Sequence, residues 1–113
     1  MARMRALVVE GPREASVREV EAPRAKEGEI VVRVKRAGIC GTDLHIYNGE
    51  YLSDYPIIPG HEFAGVVSEV GEGVQGFREG DRVTAAPNLS CGRCRLCLSG
   101  RANHCERLEI IGV

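Results

Sequence analysis

The stretch Ile30-Val31-Val32-Arg33-Val34-Lys35 decides the fold class, because Ile30, Val32 and Val34 fall on one face and Arg33 and Lys35 on the other. A period of two predicts a strand over Glu29 to Ala37 with one face packed and one wet. Similar runs recur on both sides, at Arg5 to Val9, Ser16 to Val20, Phe63 to Val70 and Asp81 to Ala85. Gly11-Pro12, Ala25 to Gly28, Tyr55 to Gly60 and Gly71 to Gly80 separate them, each rich in Gly, Pro or charge. The exception is Thr42 to Tyr47, where Thr or Asp can cap one short helix directly after Cys40-Gly41. The closing Leu108 to Val113 reads as the beginning of a strand. A mostly-β domain follows.

Composition sets the bounds. The 113 residues, 43% apolar and 27% charged, suffice for one domain and not for two. Fifteen Lys plus Arg against sixteen Asp plus Glu leave a net charge of −1, with no basic excess to neutralise a phosphate backbone, so no nucleic-acid partner is expected. The apolar run Ala6 to Val9 is too short for a signal-peptide core or a membrane span, so the expected chain is soluble and cytoplasmic, with no membrane partner.

Five cysteines are an odd number, and four of them lie between Cys91 and Cys105. Cys91, Cys94, Cys97 and Cys105 give C-x2-C-x2-C-x7-C, a spacing suited to a tetrahedral zinc site of four thiolates, closed and therefore structural. In a reducing compartment clustered thiols are metal ligands more often than cystines. Gly92 and Gly100 allow the turns, and Arg93, Arg95, Arg101 and Arg107 can offset thiolate charge. Two alternatives stand beside zinc. The first three cysteines also match the start of an iron–sulfur run, although the fourth comes late and is followed by Glu106. His104 could replace Cys105, but reads better as a solvated surface histidine. The lobe has almost no apolar side chains of its own, so its folding should need metal.

The fifth cysteine, Cys40, is joined by Pro59-Gly60-His61-Glu62. Cys40, His61 and Glu62 offer a thiolate, an imidazole and a carboxylate, the donor set of an open catalytic zinc. The bland alternative is a core cysteine ending the Glu29 strand and a packed histidine.

Gly60-His61-Glu62-Phe63-Ala64-Gly65, with Gly71 and Val74 at their distances, resembles the signature of zinc-containing alcohol dehydrogenases of the medium-chain dehydrogenase/reductase family. Cys40-Gly41-Thr42-Asp43-Leu44-His45, Gly80-Asp81-Arg82-Val83 and the four-cysteine lobe resemble the same family in the same order. The resemblance implies that residues 1–113 are a GroES-like barrel with short helices, an N-terminal catalytic domain that includes a structural zinc lobe over residues 88–107. The Rossmann half that would bind NAD or NADP lies outside it. The resemblance further implies one structural and one catalytic zinc, the latter held by Cys40 and His61, with Glu62 a direct or exchangeable ligand. The remaining ligand has no match in the chain. By the same resemblance Asp43 accepts a hydrogen bond from His61, Thr42 takes the substrate hydroxyl proton and His45 completes a relay to solvent. The pairing of His61-Glu62 with Thr42 to Tyr47 is similar to threonine, sorbitol and butanediol dehydrogenases. The implied partner is a small-molecule alcohol, and the full-length protein is expected to be a homo-oligomer. Tyr51, Leu52 and Tyr55 are the local candidates for a substrate pocket.

Gly71-Glu72-Gly73-Val74-Gln75-Gly76 fits a dinucleotide fingerprint but leads through Phe77 to Asp81 into another strand, with no helix to meet a pyrophosphate. The chain should therefore lack a cofactor site and be inactive alone. Two functions compete. One is the zinc-binding part of an NAD(P)-dependent dehydrogenase oxidising a secondary alcohol, polyol or amino alcohol. The other is a metal-stabilised GroES-like binding module without catalysis.

Overall fold

The computed structural model describes residues 2–113. Strands β1 (Arg3–Gly11) and β2 (Glu14–Glu21) form an antiparallel hairpin. Strand β3 (Ile30–Gly38) leads into helix α1 (Gly41–Asn48), and the chain returns as β4 (Glu62–Val70) and the short β5 (Arg82–Thr84). These three strands make an antiparallel sheet in the order β3-β4-β5. Two-residue strands β6 (Asn88–Leu89) and β7 (Glu109–Ile110) pair at the base of the cysteine lobe, which carries helix α2 (Arg95–Leu98) and a single 3-10 turn (Ala102–His104). Every expected strand and the short helix are present.

The expected barrel is not closed. Among the described residues the strands form three separate sheets. A barrel needs every strand hydrogen-bonded to a neighbour on both sides. Here the β1-β2 hairpin meets the rest of the β structure through one isolated bridge, with Val9 N–H and Ile57 N–H each donating to the other's carbonyl at 2.8 and 2.9 Å.

The alternation of β3 is also only half fulfilled. Ile30, Val32 and Val34 do line one depression of about 520 Å³, together with Phe63, Phe77 and Val83. The depression is uncovered, so Val34 remains 50% exposed rather than packed. Two bulges interrupt the pairing with β4: Ser68 is extra on β4 between the Val31 and Val32 pairs, and Lys35 is extra on β3 between the Val34 and Arg36 pairs. Lying on opposite strands, they cancel. Ile30 faces Val70 at one end, Gly38 faces Glu62 at the other, and the register between the ends is restored.

Among the described residues the core is small: Val8, Val9, Ile46, Val67, Cys94 and Cys105 are buried, with Ile46, Val67 and Val9 the least accessible. Helix α1 is seated by Ile46, whose carbonyl accepts the Tyr55 hydroxyl at 2.6 Å. Glu69 ties the segment before β3 to β4: its carboxylate accepts the Ala25 N–H at 2.9 Å and the Arg24 guanidinium, which together hold it below the usual carboxylate range.

Because Ile46 is fully enclosed, Ile46→Ala should cost about 2–5 kcal/mol of stability. The fully exposed Leu52 should tolerate alanine within about 0.5 kcal/mol. Urea unfolding of the two variants measures both, and equal losses would contradict this account of the core.

Candidate metal centres

The lobe brings all four of its cysteines together. The Sγ atoms of Cys91, Cys94, Cys97 and Cys105 lie within 4.8 Å of one another, with Cys91 and Cys97 at 4.0 Å and Cys94 and Cys105 at 3.9 Å. A tetrahedral ion with Zn–S bonds of about 2.3 Å spaces its sulfurs by about 3.8 Å, so the donor set fits one such ion. Sulfurs this close leave no room for a cluster of several irons. His104 stands exposed in the 3-10 turn, as a surface residue.

Backbone geometry supports the thiolates. Arg93 and Cys94 N–H donate to Cys91 Sγ at 3.5 and 3.3 Å, Cys97 N–H donates to Cys94 Sγ at 3.4 Å, and Cys91 and Arg107 N–H donate to Cys105 Sγ at 3.3 Å each. Arg93 and Arg107 thus serve through their backbones, which residue type does not reveal, while the side chains of all four arginines remain exposed. The Arg93 N–H foremost, with that of Cys94, draws the Cys91 thiol down to about 6. The N–H groups of Glu106 and Cys97 lower Cys94. Burial, reinforced by the neighbouring sulfurs, pushes Cys97 up to about 11.

The second group is built by topology. Gly38 and Glu62 are paired at the end of the β3-β4 ladder, so Cys40, just past β3, and His61, just before β4, meet at the same sheet end. Donor atoms of Cys40, His61 and Glu62 lie within 4.8 Å of one another. Cys40 and His61 are partly buried and Glu62 is exposed, an arrangement open on one side.

Asp43 connects helix and histidine. The N-cap of α1 is Cys40, not Thr42 or Asp43, and Asp43 Oδ2 accepts the Cys40 N–H at 3.0 Å from the third helical position. Its other oxygen, Oδ1, faces His61 Nδ1 at 3.8 Å, longer than the expected hydrogen bond, and both atoms are buried without another partner. This pair faces away from solvent and leaves Nε2 as the ring nitrogen available to a metal. Thr42 Oγ1 lies 3.7 Å from Cys40 Sγ. His45 is exposed on α1 with its Nδ1 3.8 Å from Glu50 Oε1, a neighbour that no sequence pattern signals.

Of the pocket candidates, Tyr51 and Leu52 line a cleft of about 460 Å³ beside Leu108 to Ile110. Tyr55 does not, because its hydroxyl is spent on the Ile46 carbonyl. A second cleft of about 330 Å³, mostly apolar, runs from Leu7 and Val9 past Ile39 to Asp43 and Leu44, alongside the second group. Gly71 to Gly76 is a connection between β4 and β5, as expected. Gly71 is required there by packing, since a methyl group on it would overlap the Lys26 carbonyl.

The two displaced thiols set the pH dependence expected of zinc binding at the lobe. With Cys91 drawn down to about 6 and Cys97 pushed up to about 11, zinc binding above about pH 6 should displace a proton from Cys97 and none from Cys91. As pH falls through about 6, zinc must displace one further proton from Cys91, so affinity should drop more steeply there by about tenfold per unit. Competition with a chromophoric chelator across this range measures the slope, and an unchanged slope would refute the assignment to Cys91.

Comparison with known proteins places this geometry. The family model described as alcohol dehydrogenase GroES-like domain matches residues 26–113. The starvation-sensing protein RspB of Escherichia coli (strain K12) is 45% identical over 111 residues, 97% of this chain and 33% of its own length. Sorbitol dehydrogenase of Bacillus subtilis (strain 168) is 38% identical over 112 residues, 96% of this chain and 32% of its own length. The solved structure of a cobalt- and zinc-bound thermostable alcohol dehydrogenase from Pyrobaculum aerophilum superposes with a TM-score of 0.89 at 42% identity, covering 99% of this chain and 36% of that one. The chain spans about a third of the length of the curated relatives it matches. With the match running from before β3 through both cysteine-bearing regions, the chain belongs to the alcohol dehydrogenase GroES-like domain family, among the zinc-type medium-chain dehydrogenases.

Proposed function

We propose that this chain is the zinc-holding catalytic domain of an NAD(P)-dependent dehydrogenase that oxidises a secondary alcohol, polyol or amino alcohol. The observation that carries this reading is the convergence of Cys40, His61 and Glu62 at one sheet end, with the Asp43 carboxylate directly behind the histidine. A purely structural module has no use for an open donor set backed in this way. The relatives are sorbitol, threonine and alcohol dehydrogenases, which supports the same class of substrate.

In this reading the four-cysteine lobe holds a structural zinc, and Cys40 and His61, with Glu62, hold a catalytic one. Zinc would supply Lewis acidity toward the alcohol oxygen, and a nicotinamide cofactor carried by sequence outside this chain would accept the hydride. The chain's own residues handle orientation and the proton. The Asp43 carboxylate, facing Nδ1, would steady the His61 ring and favour a proton on that nitrogen once Nε2 holds a metal. The Thr42 hydroxyl, next to Cys40 Sγ, would accept the alcohol proton while releasing its own to water, and the exposed His45 imidazole would pass that proton on to solvent. The apolar cleft beside Asp43 and Leu44 offers room for the carbon skeleton of a substrate.

The chain alone should turn over no alcohol, since holding a nicotinamide ring against the carbinol carbon is worth about 7–11 kcal/mol and nothing in it can do so. Supplying the nucleotide-binding half, as a fusion or a second chain, should restore activity, and Cys40→Ser or His61→Ala should abolish it. Saturable NAD-dependent turnover by the chain alone would overturn this reading.

Stepwise chelation separates the two ions. The group at Cys40 should lose zinc well before the four-cysteine lobe, because it offers three protein donors of which Glu62 is exposed. Metal analysis at each chelator concentration tests the order, and simultaneous loss of both ions would contradict it.

A further inference from the structure

The loop that presents His61 is anchored at three points. At its start Ile57 is bridged to Val9 of β1 by two backbone hydrogen bonds. At its end Glu62 is paired with Gly38 in the β3-β4 ladder. Between them, Gly60 N–H donates to the carbonyl of Gly112 at 3.3 Å, beyond the end of β7.

The third anchor tolerates nothing larger than glycine. Gly112 has φ +73°, in the left-handed region, and a methyl group on it would overlap the Gly60 carbonyl and lie 2.8 Å from the Gly60 nitrogen. The opposing atoms are backbone, so no flexible side chain can swing aside. With Ile57 and Glu62 held elsewhere, the displacement would have to be absorbed over residues 58–61, which include His61. Gly112 is in turn held by the lobe: Ile111 N–H donates to the Pro87 carbonyl at 3.0 Å, and β7 pairs with β6 across the base of the cysteine loop.

We propose that Gly112 is a positioning residue for the second metal group: its close contact with Gly60 sets the loop that presents His61, so the cysteine lobe fixes the geometry at Cys40, His61 and Glu62. The inference rests on the reading of these three residues as metal ligands. It makes the lobe more than a separately stapled loop, because its exit strand delivers the surface against which the histidine loop is seated.

Cobalt(II) tests this, since its absorption reports each group separately and the bands lost in Cys40→Ser belong to the second. Gly112→Ala should weaken cobalt binding at the second group by about tenfold or more, while the four-cysteine bands and affinity change by less than about twofold. Gly73→Ala is the control, because Gly73 has φ +80° but open space where its methyl group would sit, so backbone strain alone should leave both groups unchanged. A chain ending at Ile111 loses the contact without adding an atom, and should reproduce the selective weakening even where Gly112→Ala fails to fold. Equal weakening at both groups, or none at the second, would overturn the proposal. Absence of Cys40-dependent bands in the unaltered chain would instead refute the ligand reading. The His61 imidazole resonances without metal then decide the positioning role: a shift in Gly112→Ala but not in Gly73→Ala supports it, and unchanged resonances reject it.

Discussion

The pairing of Gly38 with Glu62 is the constraint on which the second metal group depends. Cys40 and His61 are far apart in sequence, and only the β3-β4 register makes them neighbours. In an antiparallel ladder a slip by one residue turns every side chain to the opposite face. Two bulges threaten such a slip, yet Lys35 is extra on one strand and Ser68 on the other, and the two offsets cancel before the ladder reaches its functional end. The Ser68 hydroxyl, donating to the Val31 carbonyl at 3.2 Å, holds one of these irregularities in place. The curvature that bulges introduce is thus obtained without disturbing the alignment of the ligands.

Asp43 shows how one side chain can serve the helix and also face the histidine. Oδ2 secures the first turn of α1 by accepting the N–H of Cys40, while Oδ1 is left beside His61 Nδ1. The carboxylate therefore holds the thiol-bearing residue at the helix entrance by a hydrogen bond and stands beside the imidazole across the sheet end without bonding it. Loss of its charge would disturb both, so removal of Asp43 cannot be read as a purely catalytic or a purely structural change. The 3.8 Å separation from His61 leaves two buried polar atoms without partners, and such atoms are costly in a folded chain. A ligand on Nε2 favours a proton on Nδ1 and strengthens its attraction to the carboxylate, which makes metal binding and satisfaction of this pair mutually supportive.

Much of this was legible in the sequence, for identifiable reasons. The alternation around Val32 located β3, and the close spacing of Cys91, Cys94 and Cys97 located the lobe because successive turns of one short loop bring such residues together whatever the rest of the fold does. The helix after Cys40 was legible from Thr42 and Asp43, although the cap itself is Cys40, since the Asp43 carboxylate caps by reaching back. What escaped are features decided by distant backbone. The bulges at Lys35 and Ser68, the open depression beneath Val34 and the missing barrel closure depend on which strands find partners, and residue type does not specify that. The contact of Gly60 with Gly112 was invisible for the same reason: both are glycines near turns, and only the folded chain shows that their backbones touch.

The two candidate metal groups differ in kind as well as in donors. The four-cysteine group is local, with every donor within the loop from Cys91 to Cys105 and backbone N–H groups of that same loop directed at the sulfurs. Its formation needs few long-range contacts, so metal can drive the folding of a segment that has little apolar surface to bury. The group at Cys40 is non-local, assembled from the end of one strand, the start of another and the cap of a helix, and its precision can be no better than that of the β structure around it. Among the described residues the least accessible apolar side chains are Ile46 in α1, Val67 in β4 and Val9 in β1. Ile46 and Val67 seat α1, which carries Asp43, and β4, which begins directly after His61. Part of the modest core therefore lies where the non-local group requires rigidity, while the buried residues of the lobe, Cys94 and Cys105, are themselves members of its four-cysteine group.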